Sequence, residues 1–157
     1  MYIKEFEVRW NDLDANRHLA NSTYLNYMSH TRLSYMMEKG FNQANVVKHT
    51  IGPVVFDEHI FYFKEIFPGE LIRVSLELKG ISKGGMYVEF QHNFYNNEGE
   101  NMARCDMMGG WIDLKTRKLR DIPETLFKAL SNLDKTEGFR TLTKEDTRAH
   151  RKVPKGI

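Results

Sequence analysis

Arg9-Trp10-Asn11-Asp12-Leu13-Asp14-Ala15-Asn16-Arg17-His18-Leu19-Ala20-Asn21-Ser22-Thr23-Tyr24-Leu25-Asn26-Tyr27-Met28 is the stretch on which the reading of this chain turns. Before it, Phe6, Val8 and Trp10 alternate with Glu5, Glu7 and Arg9, the period of a half-buried strand over 2–10. After it the period changes. Tyr24, Tyr27, Met28, Thr31 and Tyr35 fall on one helical face, with Asn26, Ser29, Ser34 and Glu38 on much of the rest. Asn21 or Ser22 can cap the start and Gly40 sits where a C-terminal stop belongs, which predicts a helix over about 22–39. The quoted stretch is therefore a strand-to-helix junction holding two aspartates, a histidine and several amides. Backbone N–H groups of a first helical turn have no intrahelical acceptor, so a carboxylate beside them can act where negative charge develops.

Outward from the junction, four strand-like segments follow. Residues 53–63 are rich in β formers, and Pro68-Gly69 marks a turn. Ile72, Val74, Leu76 and Leu78 alternate with Arg73, Ser75, Glu77 and Lys79; after Lys83-Gly84-Gly85, so do Val88, Phe90, His92 and Phe94 with their neighbours. Asn96-Asn97-Glu98-Gly99 is a hairpin signal, and 101–114 reads as a last long strand in which Gly109-Gly110 implies a bulge or a close backbone approach. Pro123 suits the first turn of a short helix over 123–133. This order predicts an α+β domain over 1–135, an antiparallel meander covered by its long helix, and a basic C-terminal extension over 136–157. An open meander leaves an edge and apolar surface, which a second copy can cover.

Composition bounds the function. One domain of 157 residues is long enough for a real core. No apolar run is long enough to span a bilayer, and Met1-Tyr2-Ile3-Lys4-Glu5 lacks the apolar stretch of a signal peptide. A single cysteine, Cys105, leaves no internal disulfide or cysteine cluster and suits the reducing cytoplasm. A net charge of +2 makes no case for nucleic acid. His30, His49, His59 and His92 have no trusted metal-ligand spacing.

Trp10, the Asp12-Leu13-Asp14 triplet, Arg17-His18, Asn21, Tyr24, Tyr27 and Arg32 together resemble the opening motif of the hot-dog-fold acyl-CoA thioesterases of the 4-hydroxybenzoyl-CoA thioesterase type. Pro68-Gly69-Glu70, Gly99, Ile112-Asp113 and Ile122-Pro123-Glu124 agree in order downstream, so the resemblance covers about residues 3–133. It implies a hot-dog fold, an antiparallel sheet wrapped around one long central helix, in a homodimer or homotetramer. It implies hydrolysis of an acyl-CoA to a free acid and CoA without metal or other cofactor. An acyl-carrier-protein thioester, met by the basic tail, is the alternative substrate; a non-catalytic acyl-CoA-binding protein is the alternative class.

By the resemblance Asp14 is the catalytic carboxylate, nucleophile or general base, and the backbone N–H at Asn21 polarises the thioester carbonyl. Read from the residues alone, an aspartate just before a helix, as Asp14 is, is most often a turn or cap residue, and Asp12 holds the turn. His18 orients Asp14, contacts substrate or bonds within the loop. Tyr24 belongs to the core or lines an acyl pocket. Lys83 is a solvated turn lysine or a contact to a CoA phosphate. Arg17 is the departure: the family commonly has glycine there. At a positive φ an arginine is disfavoured, and it brings charge to a site where glycine brings none. It reads as a grip on a phosphate or carboxylate, or as a solvent-facing loop residue.

Overall fold

The computed structural model, which describes residues 1–150 and 152–156, has nine regular elements. In chain order they are β1 (Tyr2–Glu7), α1 (Asn21–Glu38), α2 (Gln43–His49), β2 (Ile51–Tyr62), β3 (Leu71–Ile81), β4 (Tyr87–Tyr95), β5 (Asn101–Asp113), α3 (Glu124–Ser131) and β6 (Lys135–Thr141), with a short 3-10 turn at Trp10–Asp12 and another at Asp146–Arg148. The strands form one sheet in the order β1-β3-β4-β5-β2, and β6 also pairs with β3.

The sheet departs from a plain meander in two ways. β2 pairs antiparallel with β5 instead of β3, so the β2–β3 connection crosses over. The Gly109-Gly110 pair explains how. At Gly109 a Cβ would lie 2.6 Å from the Val54 carbonyl oxygen, so only glycine admits β2 this closely, opposite the β2 bulge between Val55 and Asp57. The second departure is β6, which runs parallel to β3 and takes the half of its edge that β1 leaves open: β1 pairs with residues 71–76 and β6 with 78–81. The expected tail from 136 thus begins inside a strand. Its apolar signal is sparse because β6 is mostly exposed.

Helix α1 lays Thr23, Tyr24, Tyr27, Met28, Thr31, Arg32 and Tyr35 against the sheet. Across from it stand the alternate residues of β3 and β4, among them Ile72, Val74, Leu78 and Phe94, all fully buried. The helix face is unusually polar, and its groups are matched. Thr31 Oγ1 donates to Tyr27 O at 2.8 Å, and Tyr35 Oη donates to Ala129 O at 2.6 Å, tying α3 to α1. Gly40 stops the chain's helical run at φ +81, as expected. Helix α2 has no apolar period to betray it, because none of its residues is buried. The strand expected over 2–10 ends at Glu7: the Asp12 carboxylate accepts from Arg9 N at 2.9 Å and turns the chain into the 3-10 turn.

Candidate active site

The junction folds into a tight loop before α1. Leu13 and Leu19 form an isolated antiparallel bridge, and Asp14 N donates to His18 O at 2.9 Å. Between them Arg17 N donates to Asp14 O at 3.1 Å, with Arg17 at φ +64. The arginine therefore adopts the left-handed backbone for which glycine is the usual residue and in which the sequence reading disfavours arginine. The loop hydrogen bonds over-determine it.

Asp12 and Asp14 separate into two roles. Asp12 is buried; Arg9 Nε donates to it at 3.1 Å and Tyr27 Oη at 3.0 Å. Burial pushes its carboxyl up, but the Arg9 side chain, the Arg9 amide and the Tyr27 hydroxyl outweigh this and hold it below the usual carboxylate range. Asp12 also accepts at its backbone oxygen from Thr23 Oγ1 and Ala20 N, so it ties the loop to the helix start. Asp14 is exposed. Its Oδ1 accepts from Asn16 N at 2.8 Å and His18 N at 3.2 Å, which fixes the carboxylate plane. Among the described residues no group bonds to Oδ2.

A cleft of about 330 Å³ opens beside that carboxylate, lined by Asp14, His18, Leu19, Asn21 and Tyr24 from the junction and by Tyr62, Phe63, Lys64, Glu65 and Ile66 from the end of β2 and the loop after it. Neither Asn21 nor Ser22 caps α1. The N-cap is Ala20, and Asn21 is the first helical residue. Its Oδ1 accepts from Ser22 N at 3.0 Å, and its own N–H has no acceptor among the described residues. Leu19 N donates to Ile66 O at 2.9 Å, docking the β2–β3 loop against the junction.

Four expected site residues, Asp14, His18, Asn21 and Tyr24, thus meet in one cleft. His18 reaches Asp14 only through its backbone; its ring lies edge-on to Phe67 at 5.1 Å, with Nε2 3.5 Å from Glu65 Oε1. Tyr24 is wedged between Tyr62 and Phe94 at ring distances of 5.1 and 5.0 Å, and burial pushes its hydroxyl up to about 12. Arg17 is exposed on the loop and does not line the cleft. Lys83 is exposed in the β3–β4 turn, also outside it. The wall from Tyr62 to Ile66 was not foreseen; its sequence signal is the run of aromatics at a strand end, two of which, Tyr62 and Phe63, are more than half exposed.

A second cavity, about 300 Å³ and largely apolar, lies between α1 and the β2–β5 pair, with Arg32 at its edge. Arg32 Nη1 donates to His92 Nε2 at 3.0 Å and Nη2 to Ser29 Oγ at 3.0 Å, with Glu58 at 3.7 Å. His92 is fully buried, and its Nδ1 faces the Ser75 carbonyl at 2.7 Å. A carbonyl only accepts, so Nδ1 carries the proton and Nε2 accepts from Arg32. Burial, with the Arg32 charge, lowers the His92 pKa to about 3.

Comparison with known proteins places this geometry in a class. The family model described as the thioesterase-like superfamily matches residues 8–130, and the chain belongs to that superfamily. No curated protein matches it in sequence. Among solved structures it is similar to a hypothetical protein from Staphylococcus aureus determined in complex with CoA, at TM-score 0.79 and 16% identity, covering 99% of this chain and 95% of that one. It is similar to a 1,4-dihydroxy-2-naphthoyl-CoA thioesterase from Synechocystis, at TM-score 0.75 and 16% identity, over 84% of this chain and 96% of that one. It is similar also to YbaW, a probable thioesterase from Escherichia coli, at TM-score 0.73 and 23% identity, over 86% of this chain and all of its counterpart, 100%. At these identities the likeness is one of fold, which in this chain is six strands in one sheet with three helices among the described residues.

Proposed function

We propose that this protein hydrolyses an acyl-CoA thioester in the manner of the 4-hydroxybenzoyl-CoA thioesterase type. The observation that carries the reading is that Asp14 and Asn21 line the same cleft, and that neither Asp14 Oδ2 nor the Asn21 N–H has a protein partner among the described residues. A thioester carbonyl set against the start of α1 accepts from Asn21 N–H, and the helix dipole favours the charge its oxygen gains. Asp14 then acts on the carbonyl carbon. It either attacks through Oδ2, giving an acyl anhydride that water opens, or takes a proton from a water that attacks directly. In both routes the C–S bond breaks, the thiolate takes a proton, and water ends in the acid.

Tyr24 and Tyr62 supply an aromatic wall for the acyl group. The cleft lies at the end of β2, whose outer edge has no partner strand among the described residues. A second copy pairing there would extend the sheet and complete the wall with its own residues.

The test is hydrolysis of a panel of acyl-CoAs, aromatic and aliphatic, read by released thiol. Turnover that saturates in substrate and vanishes in Asp14→Asn is the expected result. Binding of CoA esters without turnover would return the protein to a carrier or sensing role. Turnover of carrier-protein thioesters alone would move the substrate class.

A further inference from the structure

Independently of that reading, we propose that Asp57, His59 and His150 form a binding site for one divalent transition-metal ion of the zinc class, which clamps the C-terminal segment across the outer face of the sheet. The ligand atoms of these three residues all lie within 4.8 Å of one another. Asp57 and His59 are two apart on β2, so they share a face, the one turned away from α1. His150 comes from the other end of the chain. It is delivered by a segment anchored on the far side of the sheet: Leu142 is buried and its N–H donates to Ile81 O at 3.1 Å. Thr143 N and Oγ1 then donate to Asp146 Oδ2 at 2.7 and 2.9 Å and set the turn that precedes His150.

The donor set fits the ion. Two imidazoles and one carboxylate are borderline ligands suited to Zn²⁺, Co²⁺ or Ni²⁺, and three protein ligands leave one position for water. Bonds of about 2.0–2.2 Å place the donors of a tetrahedral ion roughly 3.3 Å apart. Asp57 Oδ1 and His59 Nε2 are already 3.6 Å apart, and the His59 and His150 rings stack at 4.2 Å. Side-chain rotations that unstack the two rings and turn their nitrogens toward Asp57 Oδ1 close the site.

The charges around it agree. Lys79 pairs with Asp106 and Glu89, and Arg140 with Glu89 and Asp146, which offsets two of the three negative charges on the floor of the cavity. Asp57 has only a histidine as its ion-pair partner among the described residues. The cavity wall as a whole carries four carboxylates against two cations. Arg148 and Lys152 border the triad in an adjoining cavity, and neither pairs with Asp57 among the described residues. An ion here would bridge residues 59 and 150, a stabilising link between an edge strand and a tail that is otherwise held at its β6 end.

The experiment uses the untagged full-length protein, titrated with Zn²⁺ by calorimetry and with Co²⁺ by visible absorption. One ion per chain is expected, with the d–d bands of a low-symmetry nitrogen–oxygen site. His59→Ala and His150→Ala should each weaken binding by about 10–100-fold or more, since even residues that only orient a ligand are worth that much. Zn²⁺ should also slow tryptic cleavage after Arg148 in the parent protein and not in His150→Ala. Both substitutions are at solvent-open positions, and their melting curves without metal serve as the folding check. No saturable binding, or binding that survives both substitutions, overturns the proposal. So does binding lost in His59→Ala and untouched in His150→Ala, because the tail is then not a ligand.

Discussion

Arg17 donates its backbone N–H to the carbonyl oxygen of Asp14 at 3.1 Å, and does so at φ +64. A side chain in that region costs about 1–2 kcal/mol relative to glycine, offset in part by the greater freedom glycine gives the unfolded chain. Arg17→Gly should therefore stabilise the fold by about 1 kcal/mol, a rise in Tm of roughly 2–4 °C for a domain of this size. Arg17→Ala keeps the strained backbone and should not. If the guanidinium grips an anionic part of the substrate, both variants raise KM and leave kcat nearly unchanged, because that charge is present in ground and transition states alike. A Tm for Arg17→Gly at or below the parent's would show that the loop does not store this strain.

Asp14→Asn separates chemistry from architecture. An asparagine Oδ1 still accepts from Asn16 N and His18 N, so the loop should hold and Tm should barely move. The amide is neither a nucleophile nor a base. The rate of thioester hydrolysis should fall by about 10²–10⁴-fold. Single-turnover hydrolysis in ¹⁸O-water, with the label sought in Asp14 by mass spectrometry, distinguishes attack by Oδ2 from activation of water.

Asn21→Pro removes one backbone N–H, together with the side-chain oxygen that accepts from Ser22 N. The first helical position favours proline, and Ala20 at φ −63, ψ 142 already has the extended backbone that must precede it. The helix should persist by circular dichroism. Loss of a donor to a developing oxyanion is commonly worth about 10²–10³ in kcat. Asn21→Ala, which keeps the N–H, is the control; equal activity in the two variants would remove this N–H from the mechanism.

His92 gives the fold an acid-labile element. Burial and Arg32 lower its pKa from 6.5 to about 3, so between those values the unfolded chain binds a proton that the folded chain refuses. Its contribution is fully present above pH 6.5 and is lost as the pH falls toward 3. His92→Asn keeps a donor for Ser75 O and abolishes the titration. Its Tm should be lower at neutral pH and flatter between about pH 6.5 and 4.5. An unchanged slope would mean that His92 is protonated in the fold.

The outer edge of β2 is twelve residues long and bears Val55, Phe61 and Tyr62 at roughly half exposure. An edge of that length and composition invites pairing with a like strand. Sedimentation at micromolar concentration should give at least twice the 18.5 kDa chain mass, and Val55→Lys with Phe61→Lys should shift it toward monomer. A monomeric parent protein would leave the cleft to a single chain.

The periodicities of the chain determined β1 to β5, α1 and α3, but not α2 or β6: α1 differs from its expected span by one residue at each end, because the face from Tyr24 to Tyr35 and the stop at Gly40 are local signals. The opening motif determined which side chains to watch, since Asp14 and Asn21 are held by hydrogen bonds spanning only a few residues. Pairing was not local. That β2 lies beside β5, and β6 beside β3, follows from which apolar faces and edges remain open once α1 is docked, and alternation reports a face but never a neighbour. The same holds for Tyr62 to Ile66 in the cleft and for His59 meeting His150: residues distant in the chain acquire a common chemistry only when the sheet brings them together. The left-handed Arg17 is the reverse case, where local preference argued against the conformation and the loop's hydrogen bonds to Asp14 and His18 imposed it.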